Sequence, residues 1–533
     1  MKKLTNDSMR WSISFIFCFL MLIPLSSCGG GTDVDPSDTG ADDPNNPFCS
    51  DGILQQDEEC DDGNLINGDG CENDCTITVS ESCGNGIVDQ GEECDDGNDI
   101  DNDDCTNACT NPSCGDGIVQ QNEECDDQDN ENTNACANDC TINYCMYSST
   151  DKSAEANFGE SVAISGNTLV VGADYDDAEG IDRRGSAYVC EKDLNSQKWI
   201  QTQKLVASDG NQFDYFGRSV SIYNDYIIIG ASNDDKGEDS GAAYVFKRNG
   251  DEWNETQKLV ASDGDQYDYF GHSVSIYNDY IIIGASNDDD KGEDSGAAYV
   301  FKRNGDEWNE TQKLVASDGD QYDYFGHSVS IYSDYVVIGA RWGDNQEINT
   351  GTAYVFKRTG DEWNETQKLV APDGAGFDYF GHSVSISGNY IVIGAIEDDD
   401  QNLDSGAAYV FKRNGDEWNE TQKLVAPDGA EFDYFGHSVS ISGNYIVIGA
   451  RWGDNQEINT GTAYVFKRNG DEWIQTQKLL ASNSNTGDQF GFSVAIDGDI
   501  IIVGAPDYDH NNLNDGFGYI FEKSNLDVWQ EVQ

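Results

Sequence analysis

Twelve cysteines between Cys49 and Cys140 are the residues whose types and spacing most plainly invite chemistry. They fall into three sets: Cys49, Cys60, Cys71 and Cys75; Cys83, Cys94, Cys105 and Cys109; and Cys114, Cys125, Cys136 and Cys140. The internal spacing is 11, 11 and 4 in every set. Zinc sites bring thiolates together from close C-x-x-C pairs, which this spacing lacks. Disulfides need no such pairs, and a unit of about 27 residues is too small to be held by a core of its own. Two bridges per unit are expected, each contributing roughly 3 kcal/mol by restricting the unfolded chain. Four cysteines leave three pairings open. Acidic clusters accompany the cysteines. In the second unit Asp95, Asp96, Asn98 and Asp103 offer the oxygens that calcium takes, so they are candidate calcium ligands, with a solvated acidic turn as the plainer alternative.

Other candidates recur along the rest of the chain. His272, His327, His382 and His437 each follow a Phe-Gly pair, and Glu160, Arg218 and Phe492 fill the same slot elsewhere. A residue repeated at equivalent positions is expected to be structural, and a lone His510 to be solvated. No phosphate-binding glycine loop or nucleophile elbow is present, so the chain is expected not to be an enzyme. Arg341-Trp342 and Arg451-Trp452 interrupt otherwise acidic loops, and Arg and Trp are common anchors of interfaces. They are candidate partner-binding residues, with packing on their own loops as the alternative. Asp288, Asp290 and Asp294 sit in one such acidic loop and are further candidate calcium ligands.

These residues are positioned by a long repeat. Phe-Gly recurs at Phe158, Phe216, Phe270, Phe325, Phe380, Phe435 and Phe490, at intervals of 58, 54, 55, 55, 55 and 55. A Gly-Ala pair follows each time, from Gly172 to Gly504, and then a Trp, from Trp199 to Trp529. Within the unit that starts at Phe270, four short β segments are legible: Ser273–Ile276, Tyr280–Ile283, Ala297–Lys302 and Trp308–Val315. The second is an apolar run suited to a strand covered on both faces, and the fourth alternates as a half-solvated outer strand does. Asn304-Gly305 marks the hairpin between the last two. Four antiparallel strands repeated seven times predict an all-β, seven-bladed β-propeller preceded by small disulfide-rich repeats. Met146-Tyr147 aligns with the end of a fourth strand, so the chain ends are expected to share a blade. Antiparallel order puts the tight 1–2 and 3–4 turns on one face and the long, acidic 2–3 and 4–1 loops on the other.

The Phe-Gly and Gly-Ala pattern over 146–533 resembles the FG-GAP repeats of the integrin α-subunit propeller. That resemblance implies a propeller that binds protein ligands on the 2–3/4–1 face. Relatives often carry a D-x-D-x-D-G calcium loop between the first two strands. Here the connection is only Tyr277-Asn278-Asp279 or Ser387-Gly388-Asn389, so that site is not carried over. The cysteine units resemble the Myxococcus-type cysteine-rich repeat and, more loosely, the Lin-12/Notch repeat, whose members bind calcium through Asp and Asn. Leu25-Ser26-Ser27-Cys28, after basic Lys2, Lys3 and Arg10 and the apolar run from Trp11 to Ile23, resembles a bacterial lipobox. It implies lipidation of Cys28. Gly29, rather than Asp, favours the outer membrane.

The chain is therefore expected to comprise a lipoprotein signal peptide over 1–27, a flexible acidic tether over 28–48, three disulfide-rich repeats over 49–144 and the propeller over 145–533. Cys145 and Cys190 remain to pair with each other. Across 533 residues, 100 acidic groups outweigh 30 basic ones, a formal charge of -70. Such a surface repels nucleic acid and anionic headgroups. No nucleic-acid partner is expected, and membrane contact only through the lipid. The expected function is a lipid-anchored, extracytoplasmic surface binding or adhesion protein with a protein or glycan ligand at the acidic face, with calcium as its sole candidate cofactor. The alternatives are a polysaccharide-acting propeller enzyme and a passive surface coat or spacer.

Overall fold

A computed structural model describes residues 83–88, 92–98, 105–111, 145, 156–234, 240–344, 347–453, 459–483, 485–508 and 515–532. The chain divides into two units, Met1–Asn85 and Gly86–Gln533. In the first, the described residues are Cys83, Gly84 and Asn85, and Cys83 is disulfide-bonded. The signal peptide, the tether, the first and third cysteine sets and Asp103 lie outside the described residues. Among the described residues no helix is long and apolar enough to cross a membrane.

The second unit carries seven antiparallel four-stranded sheets, each built from consecutive strands. Blade three shows the pattern: an inner strand Phe270–Tyr277, then Tyr280–Ala285, Ala297–Asn304 and an outer strand Glu307–Leu314. The inner strand starts at the Phe-Gly pair itself, three residues earlier than the periodicity suggests. Asn304 stays in its strand, paired with Glu307, and Gly305 supplies the positive φ of 69° at the hairpin. In blade three Ala285 pairs with Phe270 and Gly284 with Ser273, which leaves Gly271 and His272 in a bulge. Bulges re-aim side chains, and this one lifts the residue after Phe-Gly out of the ladder.

Hydrophobic cores lie between blades rather than within them. One cluster joins Tyr226, Ile228 and Val245 of blade two to Phe270, Ile281, Tyr299 and Trp308 of blade three. Trp308 meets Tyr226 edge-on at 5.6 Å. Its backbone is clasped by the side-chain amide of Gln257, which donates to the Trp308 carbonyl at 2.7 Å and accepts its amide at 2.8 Å. The same clasp joins Gln477 to Trp529 at 2.7 and 2.9 Å. A second lock joins the two dipeptides of the repeat. Ser219 donates to the carbonyl of Gly271 in the next blade at 2.8 Å. A Cβ on Gly230 would lie 2.0 Å from that same oxygen, so only glycine fits there.

The ring closes by this lock. The carbonyl of Gly159 in blade one lies against Gly504 of blade seven, and Phe158 forms a parallel bridge to Gly516. Each described blade is a continuous stretch of chain. The strand expected at Met146-Tyr147 lies outside the described residues, and the Cys145 amide donates to the Trp199 carbonyl at 3.2 Å beside blade one. Cys145 and Cys190 form the expected disulfide, with Cα atoms 5.8 Å apart, in the core between the last and first blades.

Candidate functional site at the propeller axis

Inner strands of neighbouring blades pack on one another around the axis, so the residues that follow Phe-Gly, bulged in blades two to six, converge there. His272, His327, His382 and His437 stand in a row, ring centroids 4.9, 5.1 and 5.0 Å apart, and Phe492 continues it at 4.7 Å. Nε2 of His272 and Nδ1 of His327 are 3.1 Å apart, a single shared hydrogen bond. His437 donates from Nδ1 to the Phe492 carbonyl at 2.9 Å, while the buried Nδ1 of His382 has no hydrogen-bond partner among the described residues. Arg218 completes the collar by binding Glu160 at 2.5 Å and Asp174 at 3.1 Å. Burial, then the charges of nearby arginines, pushes His272 and His437 down to about 3. The collar histidines are therefore neutral at physiological pH. Burial raises the Glu160 and Asp174 carboxyls against the pull of Arg218.

Above the collar sits an aromatic rim. Tyr215, Tyr269, Tyr324, Tyr379 and Tyr434 directly precede Phe-Gly, and all hold left-handed φ of 53–55°. Bulky residues are strained there, and such strain clusters at functional sites. Two residues earlier in each loop stand Phe213, Tyr267, Tyr322, Phe377 and Phe432, which are 38–52% exposed. The aspartate between each aromatic pair is buried and ties the loop. Asp268 accepts the Asp265 amide at 2.7 Å. Burial pushes Asp378 up to about 7, and Asp268 and Asp323 up to about 6.

A cavity of about 450 Å³ opens inside this rim, with Arg218, His272, His327, Tyr269, Arg341 and Trp342 in its wall. That size suits a small ligand. Trp342 meets Tyr324 edge-on at 5.0 Å and stacks on Tyr379 at 6.1 Å. Arg341 lies 5.7 Å from the Tyr324 ring. Arg451 takes the same place in blade six, 5.4 Å over Tyr434 and 5.9 Å from Phe492, and Trp452 beside it is half-buried. Arg341 and Trp342 thus line the axial cavity as well as packing on their own loop. His272 and His327, expected to be structural only, line it too.

The acidic loop residues are arranged otherwise than a calcium cage. Asp288 is buried and holds Lys313 at 2.8 Å and the Tyr299 hydroxyl at 2.8 Å. Lys313 also reaches Asp290 at 2.6 Å and Asp263 of the preceding blade at 3.0 Å. Burial alone would lower the Lys313 ammonium, yet these hydrogen bonds raise it. A lysine therefore stands among the carboxylates that the sequence offers to a metal. Asp294 is separate: its carboxylate accepts from Asn287 at 2.9 Å and from Tyr324 at 3.3 Å.

In the second cysteine set Cys94 and Cys105 are bridged, and Cys83 and Cys109 are also disulfide-bonded. Asp95 accepts the amides of Gly86 at 2.7 Å and Gly97 at 2.8 Å, and Asp96 that of Asn98 at 3.3 Å. Glu92 and Asp95 approach one another beside Cys109, whose sulfur is oxidised and so cannot act as a thiolate ligand.

The FG-GAP repeat family matches seven times, over 148–190, 199–246, 253–301, 308–356, 363–411, 418–466 and 473–521. The chain belongs to the FG-GAP repeat family. A domain of unknown function, DUF4215, matches 27–76 and 78–110, across the first two cysteine sets. No curated protein matches the sequence. Among solved structures, this FG-GAP propeller is similar in fold to Sqt1 of Saccharomyces cerevisiae. That match has 11% identity and a TM-score of 0.41, and covers 71% of this chain and 85% of the other. It is similar to a putative 6-phosphogluconolactonase of Bacteroides fragilis at 10% identity and a TM-score of 0.45, covering 66% and 90%. A periplasmic gluconolactonase of Pseudomonas aeruginosa matches at 14% identity and a TM-score of 0.40, covering 61% and 86%. The expectation that the chain is not an enzyme is withdrawn, since a putative 6-phosphogluconolactonase and a gluconolactonase are among these matches. At these identities the likeness is one of fold and assigns no activity.

Proposed function

We propose that this FG-GAP protein is an extracytoplasmic binding protein. Its propeller offers the 2–3/4–1 loop face to a protein or glycan ligand, and a lipid on Cys28 holds it to the outer membrane. The observation that carries this reading is the double aromatic rim. Five exposed aromatic side chains stand at equivalent positions in the loops, each two residues before a tyrosine of the inner rim, and three of those tyrosines, Tyr215, Tyr269 and Tyr324, line the cavity. Rigid aromatic surface gives contact area at low entropic cost, and exposed apolar groups gathered on one face mark interaction sites. In blades two to six the opposite face has two-residue turns such as Asn278-Asp279 and Gly305-Asp306. Calcium is proposed at the cysteine units, where Asp95, Asp96 and Asn98 gather.

The mature chain should bind on an array of surface glycans and proteins, and a variant with Phe213, Tyr267 and Phe377 changed to Ser should lose the signal while keeping its melting temperature. Absence of binding across a broad array would sink the reading. The anchor is tested separately. Cys28→Ser should abolish incorporation of labelled palmitate and release the protein from membranes, and a variant that stays anchored and labelled would exclude Cys28.

A further inference from the structure

The chain has more than three acidic residues for each basic one, and the blade cations are mostly consumed by ion pairs. Lys258, Lys313, Lys368, Lys423 and Lys478, equivalent positions in five blades, all hold carboxylates. Arg341 and Arg451 do not. Neither makes an ion pair among the described residues, and Nε of each is buried without a hydrogen-bond partner. An unpaired, largely buried guanidinium in so acidic a molecule is costly. Burial lowers Arg341 from its usual value, and Glu397 is the acidic group whose charge reaches it. Asp174, across the cavity, is already held by Arg218 and by Asn157 at 3.3 Å. The collar beneath offers His272 and His327, both neutral.

We propose that the axial cavity is a subsite for a single carboxylated sugar, with Arg341 taking the carboxylate and Trp342 packing on the pyranose ring. Guanidinium matches a carboxylate through paired N–H donors. The C–H face of a pyranose is apolar and packs on aromatic rings. Ser232, Asn233, Ser286 and Asn287 line the same cavity and supply hydroxyl and amide partners for sugar hydroxyls. The exposed outer rim of Phe213, Tyr267, Tyr322, Phe377 and Phe432 extends the stacking surface beyond one residue. The net charge of -70 limits the ligand further. A polyanion is repelled by the whole surface, whereas one carboxylate on an otherwise neutral chain meets only the local cation. The ligand class is therefore a neutral glycan carrying an isolated uronic acid.

This rests on the loop-face binding reading, and calorimetry separates the two. The mature chain is titrated with a xylooligosaccharide bearing one glucuronic acid branch, and with the same compound after reduction of its carboxyl group to an alcohol. The acid should bind at least about tenfold more tightly than the reduced form, as loss of one charge-assisted contact implies. R341Q should erase that difference, R341K should keep part of it, and both should melt as the unmodified chain does. K247Q removes the same charge from the opposite face and should leave both affinities unchanged. Equal binding of the two compounds would overturn the carboxylate assignment and leave loop-face binding standing. A preference that survives in R341Q would overturn the role of Arg341. Failure of both compounds, together with a blank glycan and protein array, would remove the loop-face reading as well.

Discussion

Ser493 donates its hydroxyl to the carbonyl of Gly159 at 2.7 Å, joining two residues 334 positions apart. It is the lock that joins every neighbouring pair of blades, here made between the last and the first. The Gly-Ala glycine of one blade must lack a side chain because the Phe-Gly carbonyl of the next lies against it. A Cβ on Gly504 would stand 2.0 Å from the Gly159 oxygen and 2.3 Å from the Ser493 hydroxyl. Gly504→Ala should therefore destabilise the propeller by about 3 kcal/mol or more, since backbone must move. Gly498, in an open turn with nothing near its missing Cβ, has a φ of 58°, and Ala there should cost only about 1 kcal/mol. Denaturant unfolding of the two variants compares them directly, and equal losses would contradict closure by this lock.

The lysine at the centre of the acidic loops gives a second test. Lys313→Met strands Asp288 buried and uncompensated. A broken buried pair costs about 3–5 kcal/mol, and the shared Tyr299 hydrogen bond does not replace the charge. Adding Asp288→Asn should recover a large part of the loss. Thermal unfolding of the single and double variants measures the coupling. If K313M melts with the unmodified protein, the ammonium is not what neutralises the loop.

The disulfide between Cys145 and Cys190 closes a loop of 45 residues. Restricting the unfolded chain over that length is worth about 4 kcal/mol. Cys190 stands where other blades have Phe, in the core between blades one and seven, so its partner ties the entering chain to the seam of the ring. Cys145→Ser should lower the melting temperature under oxidising conditions and abolish the further loss that reductant causes in the parent. Peptide mapping should show the Cys145–Cys190 link in the intact protein.

The blades were legible because the repeat is long and its copies are close. Buried runs such as Tyr280–Ile283 and outer strands such as Trp308–Val315 carry their own periodicities. What could not be read was contact between copies. Phe-Gly and Gly-Ala look like markers of one unit, yet Gly230 and Gly271 meet from different blades. His272 looked merely structural because its orientation depends on a bulge, and a bulge is set by pairing register rather than by residue type. Lys313 sits in a polar, alternating strand, the pattern of a solvated side chain. Its carboxylate partners come from two loops of its own blade and the preceding one. The acidic loops suggested calcium because they are dense in carboxylates, and density alone does not reveal that a lysine stands among them. Arg341 and Trp342 were legible as exceptions to an acidic loop, and their convergence with the histidine collar required the ring.

The buried rim aspartates make stability depend on pH with a definite sign. Burial holds Asp378 at about 7, and Asp268 and Asp323 at about 6, against 3.8 for an unperturbed carboxyl. Between about pH 4 and 7 the folded protein keeps protons that the unfolded chain has released. Stability therefore falls as pH rises through that window and levels off above it. Asp378→Asn removes one of these groups while retaining a side chain that can still accept the Ala375 amide, now bound at 2.7 Å. The decline between pH 4 and 7 should be shallower in D378N than in the parent, with the two converging toward the acid end. Urea unfolding at several pH values measures both slopes. A parent that gains stability from pH 4 to 7 more steeply than D378N would show that Asp378 is charged in the fold, and the rim would then be a fixed negative ring rather than a largely neutral one at mildly acidic pH.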